Sequence, residues 1–464
     1  MRRQRASLLS AAAASALLLP VLAALAAPPA PDTLWQVTPP LDYSDRLYAG
    51  WAQVPVVAEA AVYVGAAEGR TYAHHPQLFS TADADGGDGD GGGGSTFLAF
   101  STAPVDEDSM GQDVRLATSA DGGRTWSAGA VVLPAALLPN QTGAAAARNF
   151  TYYCERGIVQ RALQAHAFAQ LPTGELYVVG LSASRYCVGG SGGFQSAGRI
   201  ARRIDARSGA PLGDPCWTEM NAYAAQHLFA DTVYGTQYGM KLCAQRDQIN
   251  AVMLRPDTAP FGSPWLANNA LYAADDAHTV GELTHAVWLD DDAAPAGGYW
   301  QRFWRDLSGA AINTRSVWVE YNDDRDGAGW YPRVLEQRGS EIRQTNIPDA
   351  GSKQYLGTLS RGGARYLVSN PRYDAAVVER QPLTIALSRG ADRAYTRVGV
   401  LRTNASAVIV PDTRNGIKNR AHGFSYPTAV QVGANLLVAY SENKENIGVS
   451  VVDVDELMAF LASH

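Results

Sequence analysis

The chain has 464 residues and a formal net charge of −7, so it lacks the cationic face that a phosphate backbone demands, which excludes a nucleic-acid binder. It carries 45 Gly, 24 Pro, 10 Trp and 21 Tyr with few stretches of 3.6-residue period. That balance calls for either two domains or one large, repeat-built β domain.

Residues 1–26 read as a signal peptide. Arg2, Arg3 and Arg5 precede an Ala/Leu run that ends in small residues at Ala24 and Ala26. Pro20 interrupts the run and no later segment offers about 18 unbroken apolar residues, so the expectation is a secreted protein with no membrane span. Residues 27–464 then form one domain. Short runs rich in Val, Leu, Tyr and Trp recur between Gly, Asp, Asn and Pro clusters: Thr96 to Phe100, Leu176 to Gly180, His285 to Leu289, Val317 to Tyr321, Tyr366 to Ser369, Leu383 to Leu387, Leu436 to Tyr440 and Gly448 to Val452. These predict antiparallel strands joined by turns, with a terminal helix over Val454 to Ser463.

Asp83 to Ser95 is a Gly/Asp-rich insertion and is expected to be a surface loop. Its acidic glycines would admit a structural calcium, although the ordered spacing of an EF-hand is missing; no other cofactor and no metal site are expected. Ser119-Ala-Asp121-Gly-Gly123-Arg-Thr125-Trp126 has the form S-x-D-x-G-x-T-W, the Asp-box hairpin turn, in which Asp121 accepts backbone N–H bonds and Trp126 packs beneath. Degenerate copies occur at Asn322 to Trp330 and at Ser388 to Tyr395. Their spacing suits blades of roughly 50 to 65 residues. The fold class is therefore all-β, a single six- or seven-bladed propeller.

Four cysteines, Cys154, Cys187, Cys216 and Cys243, are even in number and clustered, which predicts two disulfides of unassigned pairing in an oxidising compartment. Asn140, Asn149 and Asn404 open sequons for glycosylation.

Tyr72-Ala-His74-His75-Pro76, the acidic run Asp106-Glu107-Asp108, and the Asp-box together resemble the opening of sialidase-superfamily (BNR-repeat) propellers. Gly198 to Arg202, Asn346 to Lys353, Ser369-Asn370-Pro371, Arg420 to Pro427 and Tyr440 to Glu445 extend the resemblance along most of the chain. It implies an enzyme that cleaves a glycosidic bond next to an acidic sugar, sialic or uronic, within a polysaccharide or glycoconjugate. True sialidases carry an Arg-Ile-Pro motif, an arginine triad and a Tyr/Glu nucleophile pair; no Arg-Ile-Pro occurs here. The His-His-Pro element is similar to that of propeller enzymes acting on uronic-acid polysaccharides, the ulvan-type lyases and related rhamnosidases.

That similarity implies a catalytic set of His75, Tyr186 and Arg202. Arg305, Arg343 and Arg420 are further candidates for clamping the substrate anion, and Lys353 closes a loop, Asn346 to Lys353, suited either to binding substrate hydroxyls or to pinning a blade turn. A guanidinium suits a sugar carboxylate bidentately, and a tyrosine serves as base or nucleophile only beside a cation or histidine. Adjacent residues on an extended strand face opposite ways, so at most one of His74 and His75 is expected to reach the central channel. The acidic run could supply a general acid, and His166 reads as a core histidine. Both hydrolysis and β-elimination fit these residues, and a lectin-like propeller without catalysis is the alternative.

Overall fold

A computed structural model gives the architecture. It describes residues 31–463 apart from 39–41, 43–47, 49, 82–93, 106, 108–110, 136–159, 187–192, 221–240, 259–271, 274–277, 309–314, 328–341, 361, 373–378, 389–392 and 404–421. The expected signal peptide, the calcium loop apart from its last two residues, Cys154, Arg420 and all three sequon asparagines lie outside the described residues.

Strand β1 (Val56–Val64) precedes a four-stranded sheet of β2 (Tyr72–Ser80), β3 (Thr96–Ala103), β4 (Asp113–Ser119) and β5 (Ala130–Leu133). The second sheet comprises β6 (Gln160–Gln170), β7 (Leu176–Tyr186), β8 (Gly193–Ile204) and β9 (Pro211–Met220), followed by helix α1 (Arg246–Met253). In the third, β10 (Tyr272–Ala273) pairs with β11 (Thr279–Gly281); β11 and β12 (Val287–Asp290) share one edge of β13 (Gly298–Asp306); and β14 (Ser316–Asn322) and β15 (Arg343–Pro348) complete it. The fourth holds β16 (Tyr355–Thr358), β17 (Arg365–Ser369), β19 (Leu383–Ser388) and β20 (Arg397–Arg402). The fifth holds β21 (His422–Val432), β22 (Asn435–Glu442) and β23 (Asn446–Asp453), with β18 (Glu379–Arg380) beside β21, and helix α2 (Val454–Ser463) ends the chain.

All eight predicted runs fall in or against strands, and α2 has the predicted bounds. β1 pairs antiparallel with β23, so the first strand completes the last sheet. Four core clusters are shared between neighbouring sheets. Leu98, Phe100 and Ala117 of the first sheet pack with Leu437, Val449 and Val451 of the fifth. Phe97 and Leu133 pack with Leu163 and Ile200 of the second; Phe303 and Val317 of the third pack with Leu367 and Ala386 of the fourth. Tyr366 and Ile385 of the fourth pack in turn with Phe424 and Val438 of the fifth, and α2 adds Leu457 and Leu461. The leading strands β2, β6, β12, β16 and β21 lie beside one another in a series. Loops at their ends therefore converge on one place.

The Asp-box forms as expected. Asp121 Oδ1 accepts the N–H groups of Arg124 and Thr125 at 3.1 and 2.9 Å, Ser119 Oγ accepts that of Gly123 at 2.9 Å, and the Trp126 indole donates to the Gly123 carbonyl at 2.9 Å. Trp126 is half-buried against the core rather than enclosed by it. Cys216 and Cys243 form a disulfide that ties β9 to the approach to α1.

Candidate active site

Three leading strands each carry one extra residue at the same level. In β2, His74 and Gln77 oppose Ser101 and Ala99; in β6, Ala165 and Ala167 oppose Gly180 and Val179; in β21, Ser425 and Thr428 oppose Ser441 and Ala439. Such bulges re-aim side chains, and the residues set out of register are His75, His166 and Tyr426. Pro76 and Pro427 sit within two of them, where the missing N–H costs no ladder bond. His75 adopts φ 56° and Tyr426 φ 53°.

The bulge overturns the expectation that His74 and His75 diverge. Both rings lie on one side, their centroids 4.4 Å apart and 4.2 and 5.4 Å from that of Tyr426. Glu282, in the break between β11 and β12, has φ 50°, while Asn443 and Lys444, in the β22–β23 turn, have φ 53° and 55°. Of the described non-glycine residues with positive φ, all but Tyr48 belong to this group. Each such conformation costs about 1–3 kcal/mol and persists only where the surroundings impose it, a habit of functional sites.

At the centre, the Tyr426 hydroxyl donates to Glu282 Oε2. Arg305 Nη1 donates to the same carboxylate oxygen at 2.6 Å and to the Tyr426 oxygen at 2.8 Å. The Arg380 guanidinium lies 5.4 Å from the Tyr426 ring centroid. Burial pushes the phenol well above its ordinary pKa, more than Arg305 lowers it, so Tyr426 rests neutral. Burial also acts to raise Glu282, but Arg305 and the hydrogen bonds from Tyr426 and Arg305 outweigh it and hold the carboxylate at about 2. Arg380 is lowered by burial and by Arg305.

A second carboxylate completes the cluster. Glu107 accepts from Lys444 Nζ at 2.6 Å and from the Tyr72 hydroxyl at 3.1 Å, and faces His75 Nε2 at 3.5 Å. Burial would raise it, yet Lys444 and His75 bring it to about 2. Burial lowers His75 to about 4 and Lys353, which faces Glu282, to about 7. Ligand-type atoms of His74, His75 and Glu107 lie within 4.8 Å of one another. They are metal-binding types, but Lys444, Arg305 and Arg380 surround His74 with positive charge, a field that favours an anion over a cation.

Of the residues singled out in the sequence, His75, Arg305 and Lys353 meet here. Arg202 does not join them: its Nε donates to the Gly213 carbonyl at 2.8 Å and its Nη1 to that of Val132 at 3.1 Å, binding together the outer strands of two sheets. Arg199, three residues earlier, is the buried arginine that faces His166. Arg343 lines a different cavity. Tyr186 ends β7, its side chain outside the described residues along with Cys187. Sequence reasoning passed over Tyr426, Glu282, Arg380 and Lys444. A signal existed for Tyr426, since Ser425-Tyr426-Pro427 repeats the His74-His75-Pro76 form on an equivalent strand; Glu282 and Arg380 had none.

Among solved structures, the chain is similar over 91% of its length to a sialidase, at 17% identity and a TM-score of 0.54. The fold is sialidase-like. The chain spans about a third of that sialidase, 35% of its length. Lower similarity extends to the intramolecular trans-sialidase of Ruminococcus gnavus, with 10% identity, TM-score 0.41, and 88% of this chain and 98% of that one covered. The α-L-arabinanase of Penicillium chrysogenum gives 11% identity, TM-score 0.36, and coverage of 87% and 99%. No protein-family model and no curated protein matches the sequence. On this sialidase-like fold, the bulged leading strands bring the Tyr426 cluster together.

Proposed function

We propose that the protein is a secreted glycoside hydrolase that cleaves ketosides of sugar acids whose carboxylate is attached at the anomeric carbon, with Tyr426 as nucleophile. The observation that carries this reading is the hydrogen-bonded trio of Tyr426, Glu282 and Arg305. Arg305 touches the nucleophilic oxygen itself. It can reach a sugar carboxylate during attack only if that carboxylate adjoins the carbon being attacked, as in sialic-type 2-ulosonic acids; the carboxylate of a uronic acid lies across the ring oxygen.

In this mechanism the substrate carboxylate enters between Arg305 and Arg380, satisfying the cations that depress Glu282. Glu282 becomes basic enough to take the phenol proton as Tyr426 attacks, one of the exceptions to two-carboxylate glycosidase chemistry. The Glu107–His75 pair acts as the proton carrier in its singly protonated state, which it enters by taking one proton from solvent: it gives that proton to the leaving oxygen and regains one from the water that releases the sugar. Export is supported by the sequence of residues 1–26 and by the Cys216–Cys243 disulfide. Among the described residues no helix is long and apolar enough to cross a membrane.

The test is to incubate the purified protein with 2-ulosonic acid ketosides and, separately, with uronate polysaccharides, reading released acid sugar and unsaturated ends. Release of the acid sugar is expected, with Tyr426→Phe and Glu282→Gln each lowering turnover by about 10²- to 10⁴-fold. Unsaturated products would replace the hydrolase with the elimination reading, and Tyr426→Phe turning over like the parent would remove Tyr426 as the nucleophile.

A further inference from the structure

A second cavity, of about 720 Å³, lies elsewhere on the third sheet and takes up two features that the site above leaves unused, Arg343 and the degenerate Asp-box at Asn322. Its volume falls within the range of about 300–1,000 Å³ usual for small-molecule sites. Tyr299 belongs to its wall and Arg305 to the Tyr426 cluster, and both are on β13. Six residues of strand separate them by roughly 20 Å, so the cavity is remote from the first site.

Its lining has a definite chemistry. The Tyr299 and Tyr321 rings meet edge to face, 5.4 Å between centroids. Arg393 lies 5.0 Å from the Tyr299 centroid and pairs with Asp291 at 2.7 Å. The Tyr321 hydroxyl is bonded to Asp32 and its pKa is raised, chiefly by burial and then by Asp32. Asp323 and Arg343 line the cavity, and their side chains make no hydrogen bond or ion pair among the described residues. A planar acceptor and a planar donor are thus unspent beside fixed phenol rings.

Charge narrows the ligand. Three carboxylates, Asp32, Asp291 and Asp323, face two guanidiniums, Arg343 and Arg393, so nothing draws in an anion. Carboxylate and guanidinium forks bond adjacent hydroxyl groups, and tyrosine faces accept the C–H surface of a sugar ring. We infer that this cavity is a binding site for a short neutral oligosaccharide, separate from the Tyr426 cluster. Its occupancy does not depend on the proposed hydrolysis.

The experiment is binding of the full chain, as Tyr426→Phe so that nothing is consumed, to an array of neutral and acidic oligosaccharides, followed by calorimetry with the best neutral one. Neutral glycans are expected to bind; Tyr299→Ala and Asp323→Ala are each expected to weaken binding at least about tenfold, and Asp323→Ala, at an exposed position, without lowering the melting temperature. Arg343 and Asp323 are exposed, so Arg343→Ala and Asp323→Ala keep the test informative if Tyr299→Ala fails to fold. The inference is overturned if no neutral glycan binds, if only acidic ones do, or if binding survives undiminished in the two exposed-site variants.

Discussion

His74 is fully buried, with neither ring nitrogen hydrogen-bonded, and its ring lies 4.2 Å from that of Tyr426. An imidazole in that state acts as a flat spacer that fixes the nucleophile's ring. Its nitrogens take no part in holding the cluster. His74→Phe is therefore expected to keep turnover within a fewfold of the parent, whereas His74→Ala leaves Tyr426 room to shift. A displacement of about 1 Å at reacting atoms costs on the order of 10²-fold. Parallel kcat and melting measurements decide it: equal losses in both variants would mean that an imidazole nitrogen is needed. The sequence offered the His-His-Pro element and placed it at a functional site, but strand alternation assigned only one ring to the channel. The single extra residue in β2 escaped that reading because a bulge is specified by the partner strand, which the local sequence does not contain.

The three Asp-box-like segments were legible because of where they fall. Ser119 ends β4, Asn322 ends β14 and Ser388 ends β19, each the last but one strand of its sheet, so each turn leads to the outermost strand. A fourth turn occupies the equivalent place in the second sheet, where Asp205 Oδ1 accepts the N–H groups of Arg207 and Ser208 at 3.1 and 2.8 Å. It lacks the Ser and Trp of the pattern, and only the aspartate's turn chemistry remains. Within the full Asp-box, Gly122 and Gly123 both have positive φ, 69° and 86°. An added Cβ at Gly123 would meet Leu437 Cδ2 at 2.4 Å, while at Gly122 the nearest atom is 3.9 Å away. Gly122→Ala should cost about 1–2 kcal/mol for its left-handed backbone. Gly123→Ala should cost a further 1–3 kcal/mol or so for overpacking. Denaturant unfolding gives both values; equal costs would show that Leu437 yields. Because Trp126 is only half-buried, Trp126→Ala should lie at or below the lower end of the roughly 3–5 kcal/mol typical of enclosed tryptophans.

At the scale of the molecule, short apolar runs between turn residues identified an all-β chain, because strand periodicity is local. The site was less legible because Glu107, Glu282, Arg305, Arg380, Tyr426 and Lys444 come from separate strands and turns, and no local pattern records their meeting. The same convergence sets the response to acid. Burial, followed by neighbouring positive charges, keeps His74 and His166 well below their ordinary pKa of 6.5, and burial holds His75 at about 4. These residues stay neutral in the fold while the unfolded chain takes up protons below about pH 6.5. Their contribution is thus complete above pH 6.5 and is lost as the pH falls, for His75 through about 4. Each contributes a slope of up to about 1.4 kcal/mol per pH unit. Asp349 opposes them: burial raises it to about 6 against 3.8 unfolded, so between those values the fold holds the extra proton and gains stability as pH falls. Burial also lowers His285 to about 4, adding to the loss, and raises Asp113, which sides with Asp349; four histidines outweigh two aspartates. Below about 4.5 Glu282 and Glu107 reinforce the loss, their stabilisation declining as the pH approaches about 2. The melting temperature should accordingly drop steadily from pH 6.5 to pH 5, and His74→Phe, which removes one such group while keeping a ring in place, should make the decline shallower by about one proton. A flat profile over that range, or an unchanged slope in His74→Phe, would mean that these histidines take up protons within the folded protein.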